Sequence, residues 1–182
     1  LLPTDHAVWP DFTADLVYLR MTADATDLYV QLRFVSFPSP TSQIATITFA
    51  TSATPLANRS WPRNAGVSSA HSLALTMWGS DAELSPATGA AKLLSVAGGE
   101  VRITDHAIEA RIPLNALPAG PWRIGVGAGL ADPADPSQYW TVPAGQPTAT
   151  APGTSALTAP GSNVWDLMFT PRNLEWFDDY VQ

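Results

Sequence analysis

Hydrophobic and polar residues alternate along much of this chain, most clearly between residues 14 and 34. Two sets of apolar residues recur at every second position: Val17, Leu19 and Met21, then Leu28, Val30, Leu32 and Phe34. Polar or aromatic residues lie between them: Tyr18, Arg20 and Thr22, then Tyr29, Gln31 and Arg33. Successive side chains of a strand point to opposite faces. The segment therefore predicts a β-hairpin with one buried face and a turn at residues 23–27.

The same period of two predicts further strands along the chain. They cover residues 44–49, 71–78, 91–96, 100–104, 108–113, 122–130 and 163–169, with one helical turn at 114–117 and long loops at 51–70 and 143–162. Glycines 125, 127 and 129 occupy one whole face of a strand, which predicts close packing there, by protein more readily than by ligand. The pattern predicts an all-β antiparallel sandwich, jelly-roll or immunoglobulin-like with long loops, formed by residues 1–182 as a single module.

Length and composition narrow the classes of function. The 182 residues include no cysteine and carry a net charge of −7, with only nine basic residues scattered along the chain. No basic run is available to neutralise phosphates, so a nucleic-acid partner is not expected. No stretch reaches the roughly 18 apolar residues of a membrane span. The low charge, the Ala, Thr, Ser and Pro content and the abrupt chain ends predict a fragment of a longer secreted or cell-envelope protein.

Candidate nucleophilic groups occur at Ser69 and His71 and at Asp105 and His106. A catalytic serine must be held within hydrogen-bond reach of a histidine, and no G-x-S-x-G turn is present. Adjacent residues on a strand point to opposite faces, so we do not expect Asp105 and His106 to act on the same substrate. We therefore expect a noncatalytic protein.

Haem held between methionine and histidine is a further alternative. The candidate ligands are Met21, Met77, Met168, His6, His71 and His106. Met21 and Met77 fall on predicted core faces, where methionine usually serves packing. No haem motif is present, so no cofactor is expected.

Paired carboxylates on turns are candidate ligands for a structural calcium ion. They are Asp24 with Asp27 and Asp132 with Asp135. Calcium accepts carboxylate and carbonyl oxygens in flexible geometry. Aspartate in turns also caps local backbone amides, which is the alternative role for all four.

Aromatic residues suggest two kinds of surface. The seven tryptophans and four tyrosines include Trp61, Trp78, Tyr139 and Trp140, which the pattern places in loops or out of phase with the core. Exposed aromatic rings can stack on the C–H face of a sugar, so these four are the predicted glycan-binding residues. Trp9, Trp165 and Trp176 lie towards the ends of the chain and are predicted to contact an adjoining domain.

Several motifs resemble one family in order and spacing. They are the hairpin DLVYLRMTADATDLYVQLRF, Met77-Trp78-Gly79, residues 107–114 followed by Leu117, residues 122–132 ending in G-L-x-D, and residues 146–153 followed by Asn163-Val164 and Phe169. Together they resemble the C-terminal modules of glucodextranase type, which belong with the DOMON-like domains and the family 9 carbohydrate-binding modules. The resemblance implies a β-sandwich accessory module beside a catalytic domain of a secreted bacterial hydrolase. It does not imply a particular ligand.

Two functions follow as expectations. The first is a noncatalytic, carbohydrate-binding-like accessory module whose partner is a glycan. The alternative is a structural or docking module that packs against a catalytic hydrolase domain and has no sugar affinity of its own.

Overall fold

The computed structural model describes residues 14–51, 56–141 and 162–169. Within these ranges the chain forms β1 (Leu16–Ala23), β2 (Asp27–Phe34), β3 (Gln43–Thr51), β4 (Asn58–Ser60), β5 (Ser68–Ala70), β6 (Leu73–Trp78), β7 (Asp81–Pro86), β8 (Lys92–Leu93), β9 (Glu100–Thr104), β10 (Ala107–Pro113), β11 (Trp122–Leu130) and β12 (Asp166–Phe169). Short 3-10 turns cover Ser95–Ala97 and Leu114–Ala116. Among the helical segments of these ranges, none has the length and apolar character needed to cross a bilayer.

The strands form two main sheets. One has four strands in the order β1-β2-β10-β9, and the other has six in the order β12-β11-β3-β6-β7-β8. A separate two-stranded ribbon pairs β4 with β5. Every pairing of these strands is antiparallel. The predicted all-β antiparallel sandwich is confirmed.

The main core lies between the inner faces of the two sheets. Alternate residues of neighbouring strands fill it, including Leu32, Phe34, Ile47, Phe49, Leu75, Met77, Ile108 and Ile112, all at most 1% exposed. Each fully buried side chain of this kind contributes about 1.5–3 kcal/mol of transfer free energy. The apolar positions of β2, of β3 and of β6 are those that the alternation predicts.

The structure differs from the sequence pattern at three places. Val17 is 51% exposed rather than inward, because a β-bulge between Leu16 and Tyr18 gives the core position to Leu16. The segments at 91–96 and 100–104 do not form a hairpin, since β8 pairs with β7 in one sheet and β9 with β10 in the other. Strand β7 was not predicted, because only Ala82 and Leu84 mark its inner face.

A second layer covers the outer face of the six-stranded sheet. We call it the outer cap; it consists of residues 56–70, 131–141 and 162–165. Its buried members form a second hydrophobic cluster with Ile44 of β3: Trp61, Ala65, Ala131, Tyr139 and Val164. Because of this cap, β3 is buried on both faces. The long loop predicted at 51–70 thus contains the β4–β5 ribbon. Residues 52–55 of this loop and most of the loop predicted at 143–162 lie outside the described ranges.

The outer cap explains the glycine face of β11. A Cβ placed on Gly127 would lie 2.8 Å from Cζ3 of Trp61, and one on Gly129 would lie 2.6 Å from the backbone oxygen of Asn163. Contacts this short leave room for hydrogen only. The prediction that protein packs closely on this face is confirmed.

Candidate functional site

The outer face of the four-stranded sheet differs from the capped face of the other sheet. Its side chains are mostly exposed or partly exposed. Strand register arranges them in three rows: Tyr18, Arg33, Ala107 and Thr104; Arg20, Gln31, Glu109 and Arg102; Thr22, Tyr29, Arg111 and Glu100. We call this surface the Tyr–Arg face. It combines aromatic rings, amide and carboxylate groups and guanidinium groups on a regular scaffold.

A hydrogen-bonded chain of three side chains crosses the centre of the Tyr–Arg face. The Tyr18 hydroxyl donates to Oε1 of Gln31 at 3.2 Å, and Nε2 of Gln31 donates to Oε1 of Glu109 at 2.6 Å. The guanidinium carbon of Arg20 lies 4.5 Å from the centroid of the Tyr18 ring, within cation–π distance. These contacts hold the amide and the ring in one orientation before any ligand arrives.

Tyr29 is the second aromatic residue of the Tyr–Arg face and is 37% exposed. Its hydroxyl donates to Oδ2 of Asp24 at 3.0 Å. Backbone N–H groups of Thr26 and Asp27 donate to the same carboxylate, and these bonds lower the pKa of Asp24 to about 2. The hydrogen bond to Asp24 in turn raises the pKa of Tyr29. The β1–β2 turn therefore fixes the tyrosine hydroxyl while a ring face stays accessible.

Two of the predicted glycan-binding residues are buried in the outer cap. Trp61 is 3% exposed and Tyr139 is 0% exposed, so the prediction that their rings are exposed is wrong. The Trp61 indole N–H donates to Oγ of Ser69 at 2.8 Å, and the Tyr139 hydroxyl donates to Oγ1 of Thr46 at 2.9 Å. Burial raises the pKa of Tyr139. Both rings pack where the glycines of β11 leave space, and neither has a face open to a sugar.

Trp78 is half-buried and is stacked with Arg63, whose guanidinium carbon lies 4.8 Å from the indole centroid. The same guanidinium bonds both carboxylate oxygens of Glu83 and donates to Oγ of Ser137 at 3.1 Å. Arg63 and Asn64 have left-handed backbone conformations, with φ of 60° and 63°. Such conformations persist where surrounding contacts fix them. This cluster joins the outer cap to β7, and within it the Trp78 ring packs against Arg63.

Of the four remaining aromatic residues predicted to bind or contact a partner, two lie within the described ranges. Trp140 and Trp165 are half-buried and pack against a small cluster of Ala14 and Leu130. They therefore lie together, although the sequence assigns Trp140 to glycan binding and Trp165 to interdomain contact. Trp9 and Trp176 lie outside the described residues.

The four candidate calcium ligands accept hydrogen bonds within their own turns. Asp24 accepts from its own β1–β2 turn as described above, and Asp27 pairs with Nη1 of Arg111 at 3.0 Å. Oδ1 of Asp132 accepts from the N–H of Ala134 at 2.8 Å, and Oδ1 of Asp135 accepts from that of Ser137 at 3.1 Å. Across the described ranges, no group of three or more His, Cys, Asp or Glu residues is arranged to hold a metal. Asp24, Asp132 and Asp135 thus cap backbone amides of their turns, whereas Asp27 pairs with a guanidinium group.

Ser69 and His71 are neighbours, but their hydrogen bonds exclude a catalytic dyad. Nδ1 of His71 lies 3.0 Å from the backbone oxygen of Ser69, which can only accept, so Nδ1 bears the proton. It then cannot accept a proton from Oγ of Ser69, which lies 3.5 Å away and is occupied by the Trp61 N–H. Asp105 and His106 occupy the β9–β10 turn rather than a strand, and their side chains meet at 3.3 Å. The prediction that they point to opposite faces is wrong.

The core positions predicted for two candidate haem ligands are confirmed. Met77 is fully buried in the main core and Met21 packs against it. Met168 is 37% exposed on β12, and His6 lies outside the described residues. Both core methionines are surrounded by apolar side chains of the sandwich and serve packing.

Stability should depend on pH through His71. Burial lowers the pKa of His71 below its usual 6.5. The unfolded chain therefore takes up a proton more readily than the folded chain, and stability is full above about pH 6.5 and is lost as the pH falls through the lower folded-state pKa. We expect the free energy of unfolding from urea titrations to decrease between about pH 7 and pH 5. His71→Asn, which retains a donor for the backbone oxygen of Ser69, should flatten this slope; equal slopes in the wild type and the variant would contradict the assignment.

No family model, curated protein or solved structure matches the chain in comparisons with known proteins. The candidate site accordingly depends on the geometry of the molecule. Among residues of the Tyr–Arg face, the sequence analysis identified Tyr18, Arg20, Tyr29, Gln31 and Arg33 only as the polar side of a hairpin. The signal available in the sequence was that tyrosine, arginine and glutamine occupy the solvent-facing positions of this hairpin.

Proposed function

We propose that the chain is a noncatalytic glycan-binding module of a secreted or cell-envelope protein, and that the glycan binds on the Tyr–Arg face. The observation on which this depends is the ordered chain Tyr18–Gln31–Glu109 beside the accessible ring of Tyr29. Amide and carboxylate groups hydrogen-bond sugar hydroxyls, and tyrosine rings offer large apolar area at low entropic cost. The resemblance to glucodextranase-type and family 9 carbohydrate-binding modules supports the same class of function.

The position of the site on an exposed sheet face favours a polymer over a small metabolite. Small-molecule sites are usually concave pockets that enclose most of the ligand. Here the side chains stand on three adjacent strands, β1, β2 and β10, with the register fixed over seven residue pairs between β2 and β10. Such a surface contacts one side of an extended chain. We therefore infer a polysaccharide ligand.

Native gel electrophoresis in gels that contain soluble polysaccharides tests the proposal. We expect at least one polysaccharide to retard the wild-type protein, and Tyr29→Ala to raise the dissociation constant about tenfold, because an aromatic contact contributes about 1 kcal/mol beyond its buried area. Gln31→Ala should also weaken binding. The control is Trp78→Leu, which removes an aromatic residue on the capped sheet and should leave retardation unchanged. Loss of binding in Trp78→Leu alone would contradict the proposed face.

A second candidate function is docking against an adjoining catalytic domain. It is favoured by exposed apolar side chains near the β1 and β12 margin: Val17, Leu167 and Met168, 51%, 43% and 37% exposed. The N–H of Leu16 donates to Oδ2 of Asp166 at 3.0 Å, which brings the two strands together. Under this alternative no polysaccharide retards the protein, and a Val17→Ser, Leu167→Ser variant loses contact with the hydrolase domain.

A further inference from the structure

The Tyr–Arg face concentrates positive charge in an acidic protein. It holds four of the nine basic residues of a chain whose net charge is −7: Arg20, Arg33, Arg102 and Arg111. Two of them are neutralised within the face. Arg102 pairs with Glu100 at 2.6 Å, and Arg111 pairs with Asp27 at 3.0 Å.

The other two arginines have no acidic partner among the described residues. Arg20 stacks on Tyr18, and Nη1 of Arg33 donates to the backbone oxygen of Asp105 at 3.1 Å. Arg20 is opposite Gln31 across the β1–β2 pair, and Arg33 lies two residues further along β2. Such diagonal neighbours are about 7–8 Å apart at their backbone, within reach of long side chains. Two unneutralised guanidinium groups therefore flank the Tyr18–Gln31 hydrogen bond.

This arrangement suits a ligand that supplies negative charge. Two neighbouring cations without acidic partners repel each other, and an anion between them removes that repulsion. Guanidinium groups bind carboxylate and sulfate groups through paired, charge-assisted hydrogen bonds. Glu109 lies on the far side of Gln31 from Arg20, and its carboxylate repels an anion that approaches it. The anionic groups of a ligand are thus directed to the β1–β2 half.

We infer that the glycan bound by the Tyr–Arg face is anionic, with carboxylate or sulfate groups on its sugars, and that Arg20 and Arg33 bind these groups. The inference rests on the proposed glycan-binding function. It adds the chemical class of the ligand and its position across the strands. The net negative charge of the whole protein makes the local cation pair, rather than long-range attraction, the source of selectivity.

Matched acidic and neutral polymers test this inference by isothermal titration calorimetry. The probes are polygalacturonate with its carboxyl-reduced form, and dextran sulfate with dextran. We expect at least one acidic polymer to bind at least tenfold more tightly than its neutral counterpart. Arg20→Gln and Arg33→Gln should each weaken that binding about tenfold, since each change removes charge-assisted hydrogen bonds to the anion. The control Lys92→Gln makes the same charge change on β8 and should bind like the wild type.

The outcomes separate this inference from the proposed function. Equal affinity for both members of each pair, with Tyr29→Ala still weakening binding, would overturn the anionic class and leave the glycan-binding function in place. Acid-selective binding that Arg20→Gln and Arg33→Gln do not weaken would overturn the assignment of the two arginines. No binding to any polymer would overturn both proposals. Melting temperatures of all variants at the wild-type value establish that the changes act on binding and not on folding.

Discussion

Trp61→Ala should lower the free energy of unfolding by about 3–5 kcal/mol and leave polysaccharide binding unchanged. The indole is 3% exposed, fills the space above Gly127 and donates its N–H to Ser69. Truncation leaves a cavity between the outer cap and the sheet, but it does not touch the Tyr–Arg face on the other sheet. Urea unfolding monitored by circular dichroism measures the first effect, and the gel assay measures the second.

A double-mutant cycle with Gly127 separates packing at this position from general damage. Gly127→Ala alone is destabilising, because its Cβ would lie 2.8 Å from both Cζ3 of Trp61 and Cγ1 of Val164. With Trp61 already replaced by alanine, one of these two clashes is gone and the second change should cost less. The coupling measures the Trp61–Gly127 contact. Wild-type stability together with lost polysaccharide binding in Trp61→Ala would show instead that this tryptophan belongs to a ligand site.

Arg63→Met should lower the free energy of unfolding by about 3 kcal/mol. The Arg63 and Glu83 side chains are only 22% and 16% exposed, so removing the cation leaves a largely buried carboxylate without its partner. The change also removes the contact with Trp78 and the hydrogen bond to Ser137. Chemical denaturation at neutral pH measures the loss.

The chain offers a matched control for this ion pair. Arg102 and Glu100 form a pair of the same residue types, but their side chains are 71% and 44% exposed. Exposed pairs contribute at most about 1 kcal/mol, so Arg102→Met should have little effect. Adding Glu83→Met to Arg63→Met should restore part of the stability, since no unpaired carboxylate remains. Equal losses in the two arginine variants would contradict the structural role given to Arg63.

The sandwich was predictable because alternation reports burial directly. In β2 and β6 every second residue is apolar, and those residues form the main core. The bulge at Val17 was not predictable in this way. One extra residue in β1 turns the Val17 side chain away from the core, while the alternation of apolar and polar residues on either side of it continues. Strand β7 has only two core residues, and its position depends on pairing with β6.

The predicted exposure of Trp61 and Tyr139 was wrong for a different reason. Aromatic residues in loops are read as exposed, but Trp61 and Tyr139 cover glycines that are distant in sequence. The glycine face at Gly127 and Gly129 indicated that something packs there, yet alternation says nothing about which residue does so. Likewise, the Tyr–Arg face is completed by Glu109, which lies 78 residues from its partner Gln31. Contacts between residues far apart in the sequence therefore determine both the burial of the two aromatic rings and the composition of the Tyr–Arg face.

Chemical-shift mapping tests the central claim most directly. Isotope-labelled protein is titrated with the polysaccharide that retards it in the gel, and backbone amide shifts and the Gln31 side-chain amide are followed. We predict that the largest changes fall at residues 18–22, 29–33 and 107–111, on the Tyr–Arg face. Largest changes at residues 61–67 and 131–141, in the outer cap, would contradict the account.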